Sequence, residues 1–212
     1  MLTTAFTLFV SAALLAGCGV GVSDAVGEAP TPGGSPETPQ EVPSTMVPPG
    51  YGTLLQDQIS LRLQSGRLLI NVTPLDEGLI RLTAPDTYKR LKGLAEVHGP
   101  RATRTGRASE SSLFLVSLFS YQPDVTYEPE DLQLVNRGLR LRPEGIAPIT
   151  PSWGTQRLGQ QEARMAVYAF SGGIEWESEL VAEYQQLRNE SWRDQVFPLV
   201  QAEKAKVRAR AG

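Results

Sequence analysis

No aromatic residue occurs between Phe9 and Tyr51, and that gap decides which part of the chain can fold. Residues 19–50 carry seven of the sixteen prolines and six of the twenty glycines. Their only charges are Asp24, Glu28, Glu37 and Glu41, all negative. Such a stretch cannot bury enough apolar surface to offset the entropy of ordering it, so it reads as a tether. A flexible coil of this length spans about 30 Å. A packed core must therefore come from residue 51 onward. The 41% apolar and 20% charged content of the 212 residues is sufficient for one.

Ahead of the tether, residues 1–17 contain no charged side chain and are mostly apolar, from Leu2 through Phe9 and Val10 to Ala16. The run fits a signal-peptide core and is too short for a membrane span. It ends in Leu15-Ala16-Gly17-Cys18. This resembles the lipobox of bacterial lipoproteins, with Leu15 as the apolar position, Ala16 and Gly17 as the small ones and Cys18 as the lipidated residue. The resemblance implies cleavage before Cys18 and a lipid on its sulfur, hence a membrane partner through the N-terminus. Gly19 stands where an Asp often retains such proteins in the inner membrane, so the expected location is the outer membrane facing the periplasm in a Gram-negative host.

From Tyr51 the period changes to two. Ile59, Leu61 and Leu63 alternate with polar residues up to Ser65-Gly66, and Leu68, Ile70 and Val72 alternate beyond it, which predicts a hairpin. Leu79 to Leu82 reads as a third strand. Residues 84–97 carry Tyr88, Leu91, Leu94 and Ala95 at helical spacing, with Thr83 and Asp86 as a capping pair and Gly99-Pro100 as the stop. Residues 101–112 read as an exposed basic loop. Residues 113–121 are apolar on nearly both faces, as in a central strand. Short strands are expected at 132–135 and 139–141 around Asn136-Arg137-Gly138, and a longer one at 163–170 before Gly172-Gly173. Residues 174–184 alternate, with Ile174, Trp176, Leu180, Ala182 and Tyr184 inward and Glu175, Glu177, Glu179 and Glu183 outward. A helix carrying Val196, Leu199, Val200 and Val207 closes the chain, with Pro198 at its start.

The run Tyr127-Glu128-Pro129-Glu130-Asp131-Leu132-Gln133-Leu134, then Gly138, then Leu158-Gly159-Gln160-Gln161-Glu162 before Val167-Tyr168-Ala169-Phe170, resembles immunoglobulin-like domains of small exported bacterial lipoproteins. It covers roughly residues 112–184 and implies a fold but little chemistry. The expected architecture is mainly β: an antiparallel immunoglobulin-like β-sandwich with one inserted short helix and a C-terminal helix. The expected organisation is a signal peptide over 1–17, a lipidated cysteine and tether over 18–50, a sandwich over 51–187 and a helical segment over 188–212.

The chemistry is constrained mostly by what is missing. One cysteine allows no internal disulfide, and the single histidine, His98, no multi-histidine metal site. Nucleophile-elbow, Walker, zincin and EF-hand patterns do not occur. A net charge of −3 gives no global attraction to nucleic acid. No metal and no cofactor is expected. Asp124, Glu128, Glu130 and Asp131 form an acidic loop whose spacing matches no Ca²⁺ loop. Arg101, Arg104 and Arg107 can meet headgroups or envelope anions. Trp153, flanked by Pro151-Ser152 and Gly154, either anchors a ligand or covers an open end of the sandwich. Two functions follow. The first is a non-enzymatic envelope module that binds a protein or polymer or assists assembly. The second is an envelope-polymer hydrolase working with two carboxylates across a cleft.

Overall fold

A computed structural model describes residues 47–103 and 111–211. The expected signal peptide, Cys18 and most of the expected tether, like Arg104 and Arg107, lie outside these residues. The fold is mainly β, with every strand pair antiparallel and a C-terminal helix.

The first hairpin joins β1 (Leu61–Gln64) to β2 (Leu68–Pro74), and its buried residues alternate as the sequence requires. The segment Leu79–Leu82 is not a strand. Leu79 and Ile80 end a short helix, α1 (Glu77–Ile80), and Arg81 and Leu82 form the turn after it, because the Asp76 carboxylate accepts from the Leu79 amide at 3.1 Å and starts a helical turn. The next helix, α2 (Pro85–Ala102), is longer than expected and runs through Gly99-Pro100. Proline removes only one bond near the helix end, and the Thr103 amide still reaches the Gly99 carbonyl. Arg101 and Ala102 are thus helical rather than loop. Nor is Thr83 a cap: its hydroxyl donates to the Ile80 carbonyl at 2.6 Å, and Pro85 opens the helix.

The strands β3 (Ser111–Ser120), β4 (Val125–Thr126), β5 (Leu132–Asn136), β6 (Leu139–Leu141), β7 (Pro143–Pro148), β8 (Arg157–Leu158), β9 (Ala163–Ser171), β10 (Leu180–Tyr184) and β11 (Leu187–Asn189) follow. They make a five-stranded sheet in the order β1-β2-β3-β9-β7, a four-stranded sheet in the order β11-β10-β5-β6, and the small pair β4-β8. β3 is central, as its two-sided apolar sequence demands. Between β5 and β6, Arg137 and Gly138 both take positive φ (54° and 74°), the geometry of a two-residue hairpin turn.

The expected strand 174–184 is shorter: only Leu180–Tyr184 pairs. Residues 174–179 are instead pinned by one side chain. The Asn136 amide donates to the carbonyls of Glu175 (3.2 Å) and Glu179 (2.8 Å), and its oxygen accepts from the Glu175 amide at 3.0 Å. These bonds take the place of a ladder and hold Ile174 inward without a paired strand.

The register puts Ile70, Val72, Phe114, Val116, Ala166 and Tyr168 on one face of the larger sheet. They share a core with Leu132, Leu134, Leu180 and Ala182 of the smaller sheet. Across the layers the Tyr168 hydroxyl donates to the Pro129 carbonyl at 2.9 Å. On the opposite face, α2 lies over β3, β9 and β7 and seals Leu115, Val167 and Ala147. The approach is close at Gly145, where a Cβ would stand 2.1 Å from the Ala102 carbonyl oxygen. The uncovered rows of that face hold half-buried Leu69, Asn71, Ser117, Phe119 and Met165.

Chain entry is held by the last helix. A π-helical turn, Trp192–Val196, runs directly into α3 (Phe197–Ala211), with Pro198 in its first turn. Val196 and Val200 enter the core, while Leu199 is 43% exposed. Glu203, 1% exposed, accepts from the Thr53 amide (2.9 Å) and hydroxyl (3.0 Å), fastening the strap 51–54.

Candidate functional site

Three tight connections converge at the end of the larger sheet to which β1 runs, away from the strap. The β1–β2 turn is built by Ser65, whose hydroxyl oxygen accepts from the Leu68 amide at 3.1 Å while its own amide donates to the Leu68 carbonyl at 2.9 Å. The β3–β4 connection is tied to that turn: the Tyr121 amide donates to the Arg67 carbonyl at 3.0 Å. The β10–β11 turn closes in two residues because Gln185 takes positive φ (52°).

Between these turns lies a cleft of about 480 Å³. Its polar lining comes from Ser65, Arg67, Thr126, Gln185 and Gln186, and its apolar floor from Leu68, Val125 and Leu187. Among the described residues no Asp, Glu, His or Cys lines it. Arg67 is exposed and forms no ion pair among the described residues. Tyr184, at the back, is not a titrating group at neutral pH. Burial pushes its phenol above the usual range, and its oxygen accepts from the Glu128 amide at 3.0 Å. At the rim the Gln185 amide donates to Asp131 (3.1 Å), and Asp124 is paired with Arg157. Beside Arg67, Tyr121 is 40% exposed and is held edge-on to Phe119 at 5.0 Å between ring centroids.

A second recess, of about 440 Å³, contains Asp76, Glu77, Ser111 and Trp176. Its carboxylates are already engaged. Asp76 starts α1, and Glu77 is bound by Arg81 and the Tyr88 hydroxyl, both at 2.7 Å. Partial burial pushes the Glu77 carboxyl up, but the hydrogen bonds from Arg81 and Tyr88 and the charge of Lys92 outweigh it and hold the group below its ordinary value. Glu162 is also held low, by the Gly159 amide and Arg164. A general acid at neutral pH needs the opposite displacement.

The remaining candidates do not assemble into one site. Glu175 pairs with Arg137 at 3.2 Å, and Glu183 lies between Arg140 (2.9 Å) and Arg188. Glu177 and Glu179 are exposed. In the acidic loop, Asp124 and Asp131 have the partners named above. Among the described residues no group of three or more His, Cys, Asp or Glu side chains is placed to hold a metal ion. Trp153 is 5% exposed; its carbonyl accepts from the Tyr127 hydroxyl at 2.7 Å, and its ring packs edge-on against Tyr127 and Tyr168. Arg101 is exposed in the last turn of α2, and His98 is half-buried on the same helix. Arg67, Tyr121 and Gln186 are not marked by the sequence, apart from the turn signal at Ser65-Gly66 beside Arg67.

Set against protein-family models, curated proteins and solved structures, the chain matches none.

Proposed function

We propose that the chain is an exported cell-envelope lipoprotein whose folded part is an immunoglobulin-like sandwich that binds a partner at the cleft and performs no catalysis. The anchor rests on the sequence: a lipobox at Leu15 to Cys18 followed directly by a Pro/Gly-rich tether. In a Gram-negative host this reading puts it on the outer membrane, facing the periplasm.

Strand order supports the sandwich. Read β2, β3, β5, β6, β7, β9, β10 and β11 as A, B, C, C′, D, E, F and G, and the two sheets become ABED and GFCC′. This order is consistent with an immunoglobulin Greek key, with β1 added outside A and the two helices inserted between A and B. The cleft then lies at the end carrying the B–C and F–G connections. In antibody variable domains those loops bind antigen, an analogy of position only.

The observation that carries a binding role is the lining of the cleft: among the described residues a cation, amides and hydroxyls, with no carboxylate, imidazole or thiol. Such a lining can hold and orient a ligand, while its hydroxyls have no carboxylate or imidazole beside them in the lining to activate them as nucleophiles. No displaced carboxyl favours the hydrolase.

Photo-crosslinking in intact cells tests this reading. A photoreactive residue at Gln186 should give adducts, whereas one at Val97, exposed on α2, should not. Equal labelling from both positions would contradict it.

A further inference from the structure

We propose that the cleft takes a segment of a carboxylate-bearing glycan, with its charges spaced along the chain; this rests on the binding reading above. Among the described residues Arg67 is the only charged one lining the cleft and it forms no ion pair, so a ligand that pairs with it meets no competitor there. A planar guanidinium grips a carboxylate with two parallel N–H bonds. Thr126 and Gln186 add a hydroxyl and an amide, which match sugar hydroxyls and acetamido groups.

Other ligand classes fit less well. A protein partner needs a broad patch with an apolar centre, about 800 Å² on each side, whereas this is a polar concavity. A nucleic acid needs several cations along its phosphates, and one arginine on a chain of net charge −3 does not supply them. A rim carboxylate also sets a limit. Asp131, which accepts from Gln185 and forms no ion pair among the described residues, flanks the cleft, so a densely charged polyanion is repelled where isolated carboxylates are not.

The test uses the full chain with Cys18→Ser, so that lipid plays no part. Two probes are titrated by calorimetry and amide-shift NMR: a hexasaccharide alternating a uronic acid with an N-acetylhexosamine, and a neutral N-acetylhexosamine hexamer. The acidic probe should bind more tightly and shift the Thr126 and Gln186 amides. Arg67→Gln should weaken it about tenfold or more, the usual effect of losing a hydrogen bond to a charged group, and bring it level with the neutral probe. Gln186→Ala should weaken both probes. Both side chains are exposed, so unchanged melting curves will show that the fold is retained. Failure of the acidic probe to bind at millimolar concentration would overturn the assignment, as would binding indifferent to Arg67→Gln. If cells still give crosslinks from Gln186, only the glycan assignment falls; a pure protein adduct there would likewise refute it. If those crosslinks also vanish, the binding reading itself falls.

Discussion

Removing the carboxylate of Glu203 should loosen the strap 51–54, where the described chain enters the fold. One of its oxygens accepts the Thr53 amide at 2.9 Å, the Thr53 hydroxyl at 3.0 Å and Arg210 at 3.3 Å. The other is 3.7 Å from Lys206. In Glu203→Ala the Thr53 amide loses its partner, which costs about 1–3 kcal/mol for a poorly solvated donor. Breaking a buried ion pair costs about 3–5 kcal/mol when the remaining charge stays buried. Here the remaining charges reach water: the side chains of Arg210 and Lys206 are 19% and 60% exposed. Arg210 also keeps its 2.9 Å bond to the Tyr51 carbonyl. The discounted sum is about 2–4 kcal/mol. Glu203→Gln keeps an acceptor for Thr53 and should lose only about 1 kcal/mol, the charge-assisted part. Urea melts of the full chain measure both, and limited proteolysis should cut near residues 51–56 in the alanine variant first. The reasoning is refuted if Glu203→Ala changes stability by less than about 0.5 kcal/mol, the range of ordinary surface changes. It is refuted equally if the glutamine variant is as damaged as the alanine one.

Three further outcomes follow from the packing and electrostatics. Leu180→Ala should cost about 2–5 kcal/mol, since Leu180 is fully buried, while Glu179→Ala on the exposed turn should lie within about 0.5 kcal/mol; denaturant midpoints separate them. Gly52→Ala would put a Cβ 1.8 Å from the Leu82 carbonyl oxygen and should cost about 1–3 kcal/mol or more, whereas Gly93→Ala in α2 meets nothing within 4 Å and should stabilise by about 0.5–1 kcal/mol in thermal melts. The Glu162 carboxyl is held below its ordinary value of 4.5 in the folded chain, so its contribution is present above pH 4.5 and disappears as pH falls through the lower folded value. Glu162→Gln should therefore flatten the acid limb of stability measured from pH 7 to pH 3, and an unchanged limb would contradict the assignment.

Where burial on one face dictates alternation, the fold is legible in the sequence. The Leu61–Val72 hairpin, the turn at Arg137-Gly138 and the two-sided apolar run of β3 all follow from residue period and turn chemistry. The misreadings have local physical causes. Leu79–Leu82 is a four-residue stretch with three apolar residues around Arg81, too short for period to distinguish strand from helix, and the Asp76 cap decides it. The alternation at 174–179 reflects genuine burial of Ile174, but its hydrogen bonds go to the Asn136 side chain, which no periodicity reports. Pro100 sits late enough in α2 to be tolerated. The cleft was illegible for a different reason. Its lining comes from residues near 66, 126 and 186, and only the pairing of the strands brings those turns to one end.

Fatty-acid labelling tests the central claim, a lipid-anchored envelope module, most directly. Cells expressing the full chain are grown with a clickable fatty acid, and the membrane fraction is probed for label on this protein. The wild-type chain should be labelled and membrane-bound. Cys18→Ala should carry no label and appear as soluble protein or uncleaved precursor. Label persisting on Cys18→Ala, or a wild-type chain that is never labelled, would contradict the account.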